Sequence, residues 1–248
     1  MKISWNINES DIQKVKNVMK ENDNFFLNNR RERNVKKKNI EIDKNIIILN
    51  LMMCLLTSQQ RSGPNSVVGK FLSLKPFPIT SELIAESENI ELLIKQILKK
   101  NGLTRYINKI SAFFTENIKK IELDNWNIIS KLNFLNNNQS KETERELADF
   151  LNDWLKGFGP KQSRNFLQSL GLTKYEIPID SRIARWLNDF GFPVSLTSSP
   201  LSDKGYYHFV SDGIQELCLK AKIYPCELDA VIFSSFDNDE WTEKNIML

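Results

Sequence analysis

Residues 155–161 read Leu155-Lys156-Gly157-Phe158-Gly159-Pro160-Lys161, a glycine turn between two segments with helical periodicity. A second stretch at 177–182 reads Ile177-Pro178-Ile179-Asp180-Ser181-Arg182 and holds a lone carboxylate, Asp180. Glycines adopt backbone angles closed to other residues, so the pattern predicts a tight turn between helices. Because only one helix and one loop separate them, Lys161 and Asp180 can fold back to face each other. We therefore interpret the lysine amine as a candidate nucleophile and the aspartate as its partner.

The glycine turn also predicts a binding site for a backbone phosphate. Gly157 and Gly159 remove side chains, so a phosphate can approach the main chain. Free N–H groups at the start of the next helix then face the anion, and the helix dipole favours its charge. Such contacts hold DNA without reading its sequence, and we count Lys156 of the same turn among them. The alternative interpretation is a glycine cap between two packed helices that bind nothing.

Length and composition predict a globular protein with a substantial core. The chain has 248 residues, 41% of them apolar, which suffices for one large domain or two small ones. The formal net charge is only +3, so charge placement is more informative than total charge. Basic runs at 30–33 and 36–38, and the lysines Lys95, Lys99 and Lys100, can neutralise phosphates. The alternative for such runs is a solvated surface or a frayed arm.

Cysteine usage argues against a metal cluster. Cys54 lies in an apolar run and is expected in the core, whereas Cys218 and Cys226 have no CxxC companion. This pattern disfavours a zinc finger or a four-cysteine iron–sulfur cluster. The N-terminus lacks the long apolar core of a signal peptide, and the apolar run 46–56 is too short to span a bilayer. We expect an intracellular protein, of the cytoplasm or nucleoid, with no membrane partner.

Hydrophobic periodicity predicts an all-α fold in two lobes, with the chain crossing from one lobe to the other and returning. The sequence shows no strand alternation and no repeat at a period of about 20–50 residues. The polar, basic segment 25–38 and the asparagine cluster 136–138 are expected to be loops. The longer expected helices cover residues 11–20, 43–58, 106–117, 124–132, 143–155, 162–170, 181–190, 205–221 and 228–236.

The segment from Trp154 to Asp180 resembles the helix-hairpin-helix motif and the Gly/Pro…Asp loop (HhH-GPD) of a DNA glycosylase superfamily. That superfamily includes endonuclease III, the adenine-mismatch glycosylases and the 8-oxoguanine DNA glycosylases. Its pattern is leucine, any residue, glycine, an apolar residue, glycine, one further residue, and then lysine in members with lyase activity. Lys161 occupies the lysine position, and Asp180 follows one helix later, where the family places its aspartate.

Two upstream stretches extend the resemblance to about residues 45–195. Leu55-Leu56-Thr57-Ser58-Gln59 is similar to the family's early helix end, where a glutamine fills the gap left by a flipped nucleotide. A weaker match combines Gly102-Leu103 with Lys109-Ile110. Endonuclease III relatives usually carry a C-terminal four-cysteine cluster, which this chain lacks, so it looks more like the cluster-free 8-oxoguanine-type lyases. Pro160 is unexpected before the lysine, although it suits the first turn of a helix.

The resemblance implies a two-lobed helical glycosylase fold with a cleft between the lobes, acting on a damaged base flipped out of double-stranded DNA. Lys161 would attack the sugar carbon that bears the base and form a Schiff base, and elimination could then nick the strand. Asp180 would stabilise the cationic, sugar-like transition state and relay protons. Gln59 or Gln60 would enter the vacated site, and Arg61 would touch a phosphate. The alternative for the glutamines is a polar helix cap, and for Asp180 an N-cap of the next helix.

The resemblance also implies an organisation of the chain. We expect an N-terminal arm and helix at 1–42 that joins the second lobe, and a barrel-like helical lobe at 43–140. The hairpin and catalytic loop would occupy 141–195, and C-terminal helices at 196–248 would complete the second lobe. No cofactor is expected, although a monovalent cation at the hairpin is compatible with the motif. The protein is expected to be a monomer.

Three other functions remain open at this point. The first is a DNA-binding module that keeps the hairpin without chemistry, and the second is a helical scaffold unrelated to DNA. The third is a monofunctional glycosylase in which Asp180 activates water and Lys161 only contacts DNA. Oxidised guanine is the leading lesion, on the missing cluster alone, while oxidised pyrimidines, alkylated purines and mismatched bases stay open.

Overall fold

The computed structural model describes residues 4–36, 41–236 and 242. These residues form thirteen α-helices and no β-strand, which confirms the predicted all-α class. A π-helical segment, Arg31–Lys36, follows the second helix, and a short 3-10 turn covers Pro200–Ser202. The helices are α1 Glu9–Glu21, α2 Phe25–Arg30, α3 Lys44–Leu56, α4 Val67–Leu72, α5 Ser81–Ala85, α6 Ile90–Lys100, α7 Ile107–Leu123, α8 Ile128–Asn137, α9 Lys141–Trp154, α10 Pro160–Ser169, α11 Ser181–Phe190, α12 Lys204–Ala221 and α13 Pro225–Ser235.

Buried apolar side chains form two main cores, one in each lobe. The first core draws its residues from the range 42–172 and therefore contains helices α3 to α10. The second core combines Val15 of α1 with residues between 177 and 232. The chain thus begins in the second lobe, builds the first lobe and returns, as predicted. Nothing further tests the fourfold division into segments, which stays a prediction.

Helix α3 is the centre of the first core because its sequence is apolar on every face. Its side chains are buried from Ile47 to Leu56 with the exception of the partly buried Leu49. Asp43 begins the helix by accepting a hydrogen bond from the Ile46 N–H at 2.7 Å, a typical N-cap. The helix ends at Leu56, and the following residues, 57–61, line the cleft between the lobes.

The predicted loop at 25–38 is wrong, since residues 25–36 are helical. Leu27 is buried against α13, and the arginines of the basic run bind acidic residues of that helix. Arg30 donates to Asp229 at 2.9 Å and Arg31 to Glu227 at 2.7 Å. The two partners of each contact lie almost two hundred residues apart in sequence, so local composition could not reveal these contacts. Positions 37 and 38 of the predicted run lie outside the described residues.

The helix predicted at 124–132 is also displaced. Helix α7 continues to Leu123, and the chain then reverses through Asn125 and Trp126, which both have left-handed backbone angles (φ 50° and 58°). The Trp126 N–H donates to the Ile121 carbonyl at 2.9 Å and closes this reversal. Helix α8 therefore begins only at Ile128, and it absorbs two of the three asparagines predicted to form a loop.

None of the helices in the described ranges is both long and apolar enough to cross a membrane.

Candidate active site

The glycine turn is clamped between α7 and α3. Gly157 has φ +80°, and a Cβ there would lie 2.5 Å from Phe113 and 3.0 Å from Leu55. The buried side chain of Asn117 holds the neighbouring peptide from the other side. The Lys156 N–H donates to Asn117 Oδ1 at 2.7 Å, and Asn117 Nδ2 donates to the Lys156 carbonyl at 2.9 Å. The turn is therefore a rigid part of the first lobe.

Gly159 is open where Gly157 is crowded. It is the N-cap of α10, its backbone is extended, and no atom lies within 4 Å of where a Cβ would stand. No side chain caps this helix, and Pro160 occupies its first position. The first amides of α10 consequently face the cleft without a side-chain acceptor, which suits the approach of an anion.

Lys161 and Asp180 line a single cleft of about 1460 Å³ between the two lobes. Lys161 is the second residue of α10 and is only partly exposed. Burial lowers the pKa of the Lys161 amine below its ordinary value, while the negative charge of Asp180 opposes that shift. Within the described ranges, no hydrogen bond or ion pair engages the Nζ atom. The amine is thus both accessible from the cleft and easier to deprotonate than a surface lysine.

Asp180 is the N-cap of α11, so the helix-cap interpretation of this residue is realised. Its Oδ1 accepts the N–H groups of Arg182 at 2.8 Å and Ile183 at 3.1 Å. Its Oδ2 accepts Nε and Nη2 of the Arg182 side chain at 2.9 and 2.7 Å. Capping orients the carboxylate toward the cleft, so capping and a catalytic role do not exclude each other.

A buried ionic network holds the segment that carries Asp180 against α10. Arg164 and Glu176 have fully buried side chains and bind each other at 2.8 Å. Arg145 of α9 donates to the same Glu176 carboxylate at 2.9 Å. Glu144 accepts the N–H groups of residues 174, 175 and 176 at 2.8–2.9 Å. The sequence analysis did not predict this network. The one indication was Glu176, a charged residue directly before the apolar residues 177–179.

The loop after α3 supplies Gln59, Gln60 and Arg61 to the cleft lining. Gln59 is exposed and has φ +63°, an uncommon conformation for a residue with a side chain. Gln60 instead folds back, and its Nε2 donates to the Leu56 carbonyl at 3.0 Å. Arg61 is exposed at the cleft. Of the two glutamines left open by the sequence, Gln59 is the one that is exposed at the cleft.

Of the predicted site residues, Lys156 alone lies outside the cleft lining. Its side chain is exposed, and its Nζ lies 6.0 Å from the centre of the Phe113 ring. The cleft brings together the other seven, which are Gln59, Gln60, Arg61, Gly157, Gly159, Lys161 and Asp180.

The described residues contain no group of three or more histidine, cysteine or acidic side chains arranged to hold a metal. Cys54, Cys218 and Cys226 are buried and free. The expectations of no cofactor and of a monovalent cation at the hairpin both stay predictions.

Two helical lobes around a cleft, with a glycine hairpin and an aspartate-capped helix lining it, make a fold that is similar to that of solved 8-oxoguanine DNA glycosylases. Solved structures with this fold include the 8-oxoguanine DNA glycosylase of Thermotoga maritima. It has a TM-score of 0.66 and 15% identity, and the alignment covers 93% of this chain and 98% of that one.

Two structures from Methanocaldococcus jannaschii are similar to the same degree. Its 8-oxoguanine DNA glycosylase has a TM-score of 0.65 and 17% identity, covering 95% of this chain and 99% of that one. The 8-oxoguanine glycosylase/lyase in complex with a 15mer DNA containing 8-oxoguanine has a TM-score of 0.65 and 16% identity, covering 90% and 97%. No family model and no curated protein matches the chain. The likeness establishes the fold that the sequence predicted.

Proposed function

We propose that this protein is a DNA base-excision repair glycosylase with AP lyase activity. One observation carries the proposal: a partly buried lysine with a lowered pKa and a capped aspartate line the same cleft, directly after an open helix-hairpin-helix turn. The solved structures with this fold support it, because they are 8-oxoguanine glycosylases and one of them holds DNA. Its partner is therefore double-stranded DNA with a damaged base, and the proposed lesion is oxidised guanine.

DNA binding would begin at the hairpin. The open start of α10 at Gly159 accepts a backbone phosphate through main-chain N–H groups, without regard to sequence. Gln59 enters the duplex where the target nucleotide leaves it, and its amide can bond to the orphaned base. The damaged nucleotide then occupies the cleft, where Lys161 reaches its sugar.

The chemistry uses the amine and the carboxylate together. Unprotonated Lys161 Nζ bonds to the C1′ carbon, and the C1′–N bond breaks with its electron pair leaving on the base. Positive charge develops on the sugar, and the Asp180 carboxylate stabilises it. The attached nitrogen gives one proton to the departing base; the C1′–O4′ bond then breaks, O4′ takes up a proton from solvent, and a protonated Schiff base remains. Loss of a C2′ proton then expels the 3′ phosphate and nicks the strand.

Borohydride reduction tests the proposal, because it converts a Schiff base into a stable protein–DNA adduct. We expect an adduct with duplexes that contain an abasic site or 8-oxoguanine, and we expect Lys161→Gln to abolish it. Lys16→Gln is the matched control, since Lys16 is an exposed lysine of α1 that does not line the cleft. Failure of the unaltered protein to form an adduct with any lesion would refute the lyase.

The two closest alternatives give different results. A monofunctional glycosylase, with Asp180 activating water, would release the base without adduct or strand cleavage. This alternative is less favoured because Arg182 and the α11 amides already occupy both Asp180 oxygens. A non-catalytic DNA-binding module would bind DNA in a salt-dependent manner that survives the loss of Lys161 and Asp180.

A further inference from the structure

The amine of Lys161 forms no ion pair with Asp180, although both side chains line the same cleft. The negative charge of Asp180 nevertheless acts on the amine, so the two groups lie within electrostatic range of each other. Opposite charges in a partly enclosed cleft attract strongly, because little water screens them. The missing pair between an ammonium and a neighbouring carboxylate therefore needs a cause in the structure.

The cause lies in the hydrogen bonds of the Asp180 carboxylate, which are complete without the lysine. Its Oδ1 accepts the main-chain N–H groups of Arg182 and Ile183 at 2.8 and 3.1 Å. Its Oδ2 accepts Nε and Nη2 of the Arg182 side chain at 2.9 and 2.7 Å. A carboxylate offers about four lone-pair positions, and these four N–H groups fill them. No acceptor position is left for an ammonium.

Arg182 is well suited to hold Oδ2 against a competing lysine. It lies two residues after Asp180, within the first turn of α11, so the pair forms locally and orders little additional chain. Its guanidinium presents two N–H groups to one oxygen, whereas an ammonium is a single point charge. The guanidinium also keeps its proton throughout the pH range in which a lysine titrates. Its hold on Asp180 therefore does not weaken as Lys161 loses its proton.

An aromatic stack fixes the guanidinium from its other side. The Arg182 guanidinium carbon lies 3.9 Å from the centre of the Phe233 ring, which belongs to α13. That ring stacks on Phe26 of α2, with centroids 4.9 Å apart and planes 14° apart. A cation over a ring face is attracted by the ring quadrupole. Three helices thus contribute to the position of one side chain that binds Asp180.

Two further titratable groups act on the charge of the lysine amine, and neither is free to bind it. Cys54 of α3 is buried, and burial raises the pKa of its thiol, so the thiol stays neutral. Asp229 of α13 already accepts hydrogen bonds from Arg30 at 2.9 Å and from Gln168 at 2.7 Å. Asp180 is therefore the carboxylate whose release would capture the amine.

We propose that Arg182 is a positioning residue of the lyase: it occupies Asp180 Oδ2, prevents that carboxylate from pairing with Lys161 and so leaves the amine free to attack the sugar. The inference rests on the proposed function for its catalytic meaning. Loss of the Arg182 side chain opens two acceptor positions on Oδ2, which the Lys161 ammonium then fills. The new pair would hold the proton on the amine and suppress its attack.

Competitive labelling of the free protein tests the inference without DNA. Acetylation of Lys161 by acetic anhydride, followed by mass spectrometry from about pH 7 to about pH 11, measures the pKa of its amine. Arg182→Gln is expected to raise this pKa by about one unit or more. In an Asp180→Asn background, the same change should raise it less than half as much, because no carboxylate remains to pair with. Equal shifts in the two backgrounds would overturn the inference, since Arg182 would then act through its own charge alone.

Arg185→Gln is the matched control. Arg185 lies one turn further along α11, lines the same cleft and has an exposed side chain, whose one printed ion pair spans 3.9 Å to Asp189. Its replacement removes the same charge but frees no oxygen of Asp180, so the pKa of Lys161 should stay within about 0.3 unit. A shift as large as that of Arg182→Gln would overturn the inference. Lys16, exposed on α1, is the internal control for labelling in every sample.

Borohydride trapping on abasic DNA separates this inference from the proposed function. At pH 7 the rate of adduct formation by Arg182→Gln should fall by about tenfold, and it should recover as the pH rises, because one pKa unit changes the unprotonated fraction tenfold. A loss that persists at every pH would indicate a merely structural role and overturn the inference. If the labelling shifts follow the expectation but the unaltered protein forms no adduct, the positioning stands and the lyase is refuted. If the adduct forms but the two shifts are equal, the lyase stands and the role of Arg182 is wrong.

Discussion

The pKa of Lys161 is lowered by the surroundings of its side chain. The side chain leaves the first turn of α10 and enters a partly enclosed cleft, where burial disfavours the ammonium form and lowers the pKa. Asp180 opposes this shift, whereas the positive charge of Arg182 reinforces it. The pKa of the Lys161 amine therefore depends on two neighbouring groups of opposite charge.

The pH dependence of adduct formation on abasic DNA is predicted to follow this balance. The rate should rise with pH as Lys161 loses its proton, and it should level off below the ordinary pKa of lysine. Asp180→Asn removes a charge that favours the ammonium form, so the rising limb shifts to lower pH. Arg182→Gln removes a charge that disfavours it, so the limb shifts to higher pH. Shifts in the same direction for both variants would contradict the assignment.

Lys161 is also predicted to reduce stability at neutral pH. A lysine with a lowered folded-state pKa destabilises the fold while both states hold the proton; the penalty decreases as pH rises above the folded-state pKa and is gone above the unfolded-state pKa. Lys161→Met should therefore raise the free energy of unfolding by about 1 kcal/mol at pH 7, measured with urea. The gain should shrink at alkaline pH. Lys16→Met, at an exposed position, should change stability by less than about 0.5 kcal/mol.

At the scale of elements, the hairpin between α9 and α10 assigns different tasks to its two glycines. Gly157 lies in the left-handed region and would clash with Phe113 if it carried a Cβ, so its role is conformational. Gly159 has an ordinary extended backbone and open space around it, so its role is to let a ligand approach. The same residue type therefore serves the fold at one position and the proposed DNA contact at the other.

Alanine substitutions are predicted to separate these tasks. Gly157→Ala should lower the free energy of unfolding by at least about 1–2 kcal/mol, because alanine is strained at φ +80° and meets Phe113. Gly159→Ala should cost less than about 1 kcal/mol, since only the N-cap preference changes. Its main effect should be weaker binding to duplex DNA, measured at fixed salt by fluorescence anisotropy. Equal losses of stability in both variants would argue against the division.

At the scale of the whole molecule, the Arg164–Glu176 ion pair lies where the chain passes between the two cores. The first core ends at Leu172 and the second resumes at Ile177, so Glu176 belongs to the crossing. Arg164 also stacks on the ring of Tyr207 from α12, at 4.8 Å from its centre. The pair connects the helix that carries Lys161 to the loop that leads to Asp180.

Breaking this pair is predicted to be strongly destabilising. Arg164→Met should lower the free energy of unfolding by about 3–5 kcal/mol, because Glu176 keeps a buried charge with one partner fewer. Combining it with Glu176→Gln should cost less than the sum of the single changes. Denaturant melts of the two single variants and the double variant measure this coupling. Strictly additive losses would show that the two side chains do not depend on each other.

Most of the architecture could be predicted from local pattern. Apolar residues at helical spacing predicted the helices, and the glycine turn predicted the hairpin at its correct place. The segment 25–36 was mispredicted because its helix depends on acidic partners in α13. The reversal at 125–126 was missed because residues other than glycine adopt left-handed angles there.

By itself, the sequence determined the helical class and the order of the motifs, and it predicted the residues of the proposed chemistry, since spacing along one helix and one loop is local information. Only the tertiary structure decided that Lys161 is buried enough to have a lowered pKa, and that Gln59 is exposed at the cleft whereas Gln60 bonds back to the Leu56 carbonyl. It also decided that Asp229, Gln168 and Arg30 meet. Those three lie on helices far apart in the chain, and their meeting depends on how the helices pack, which the spacing of residues along a helix does not encode.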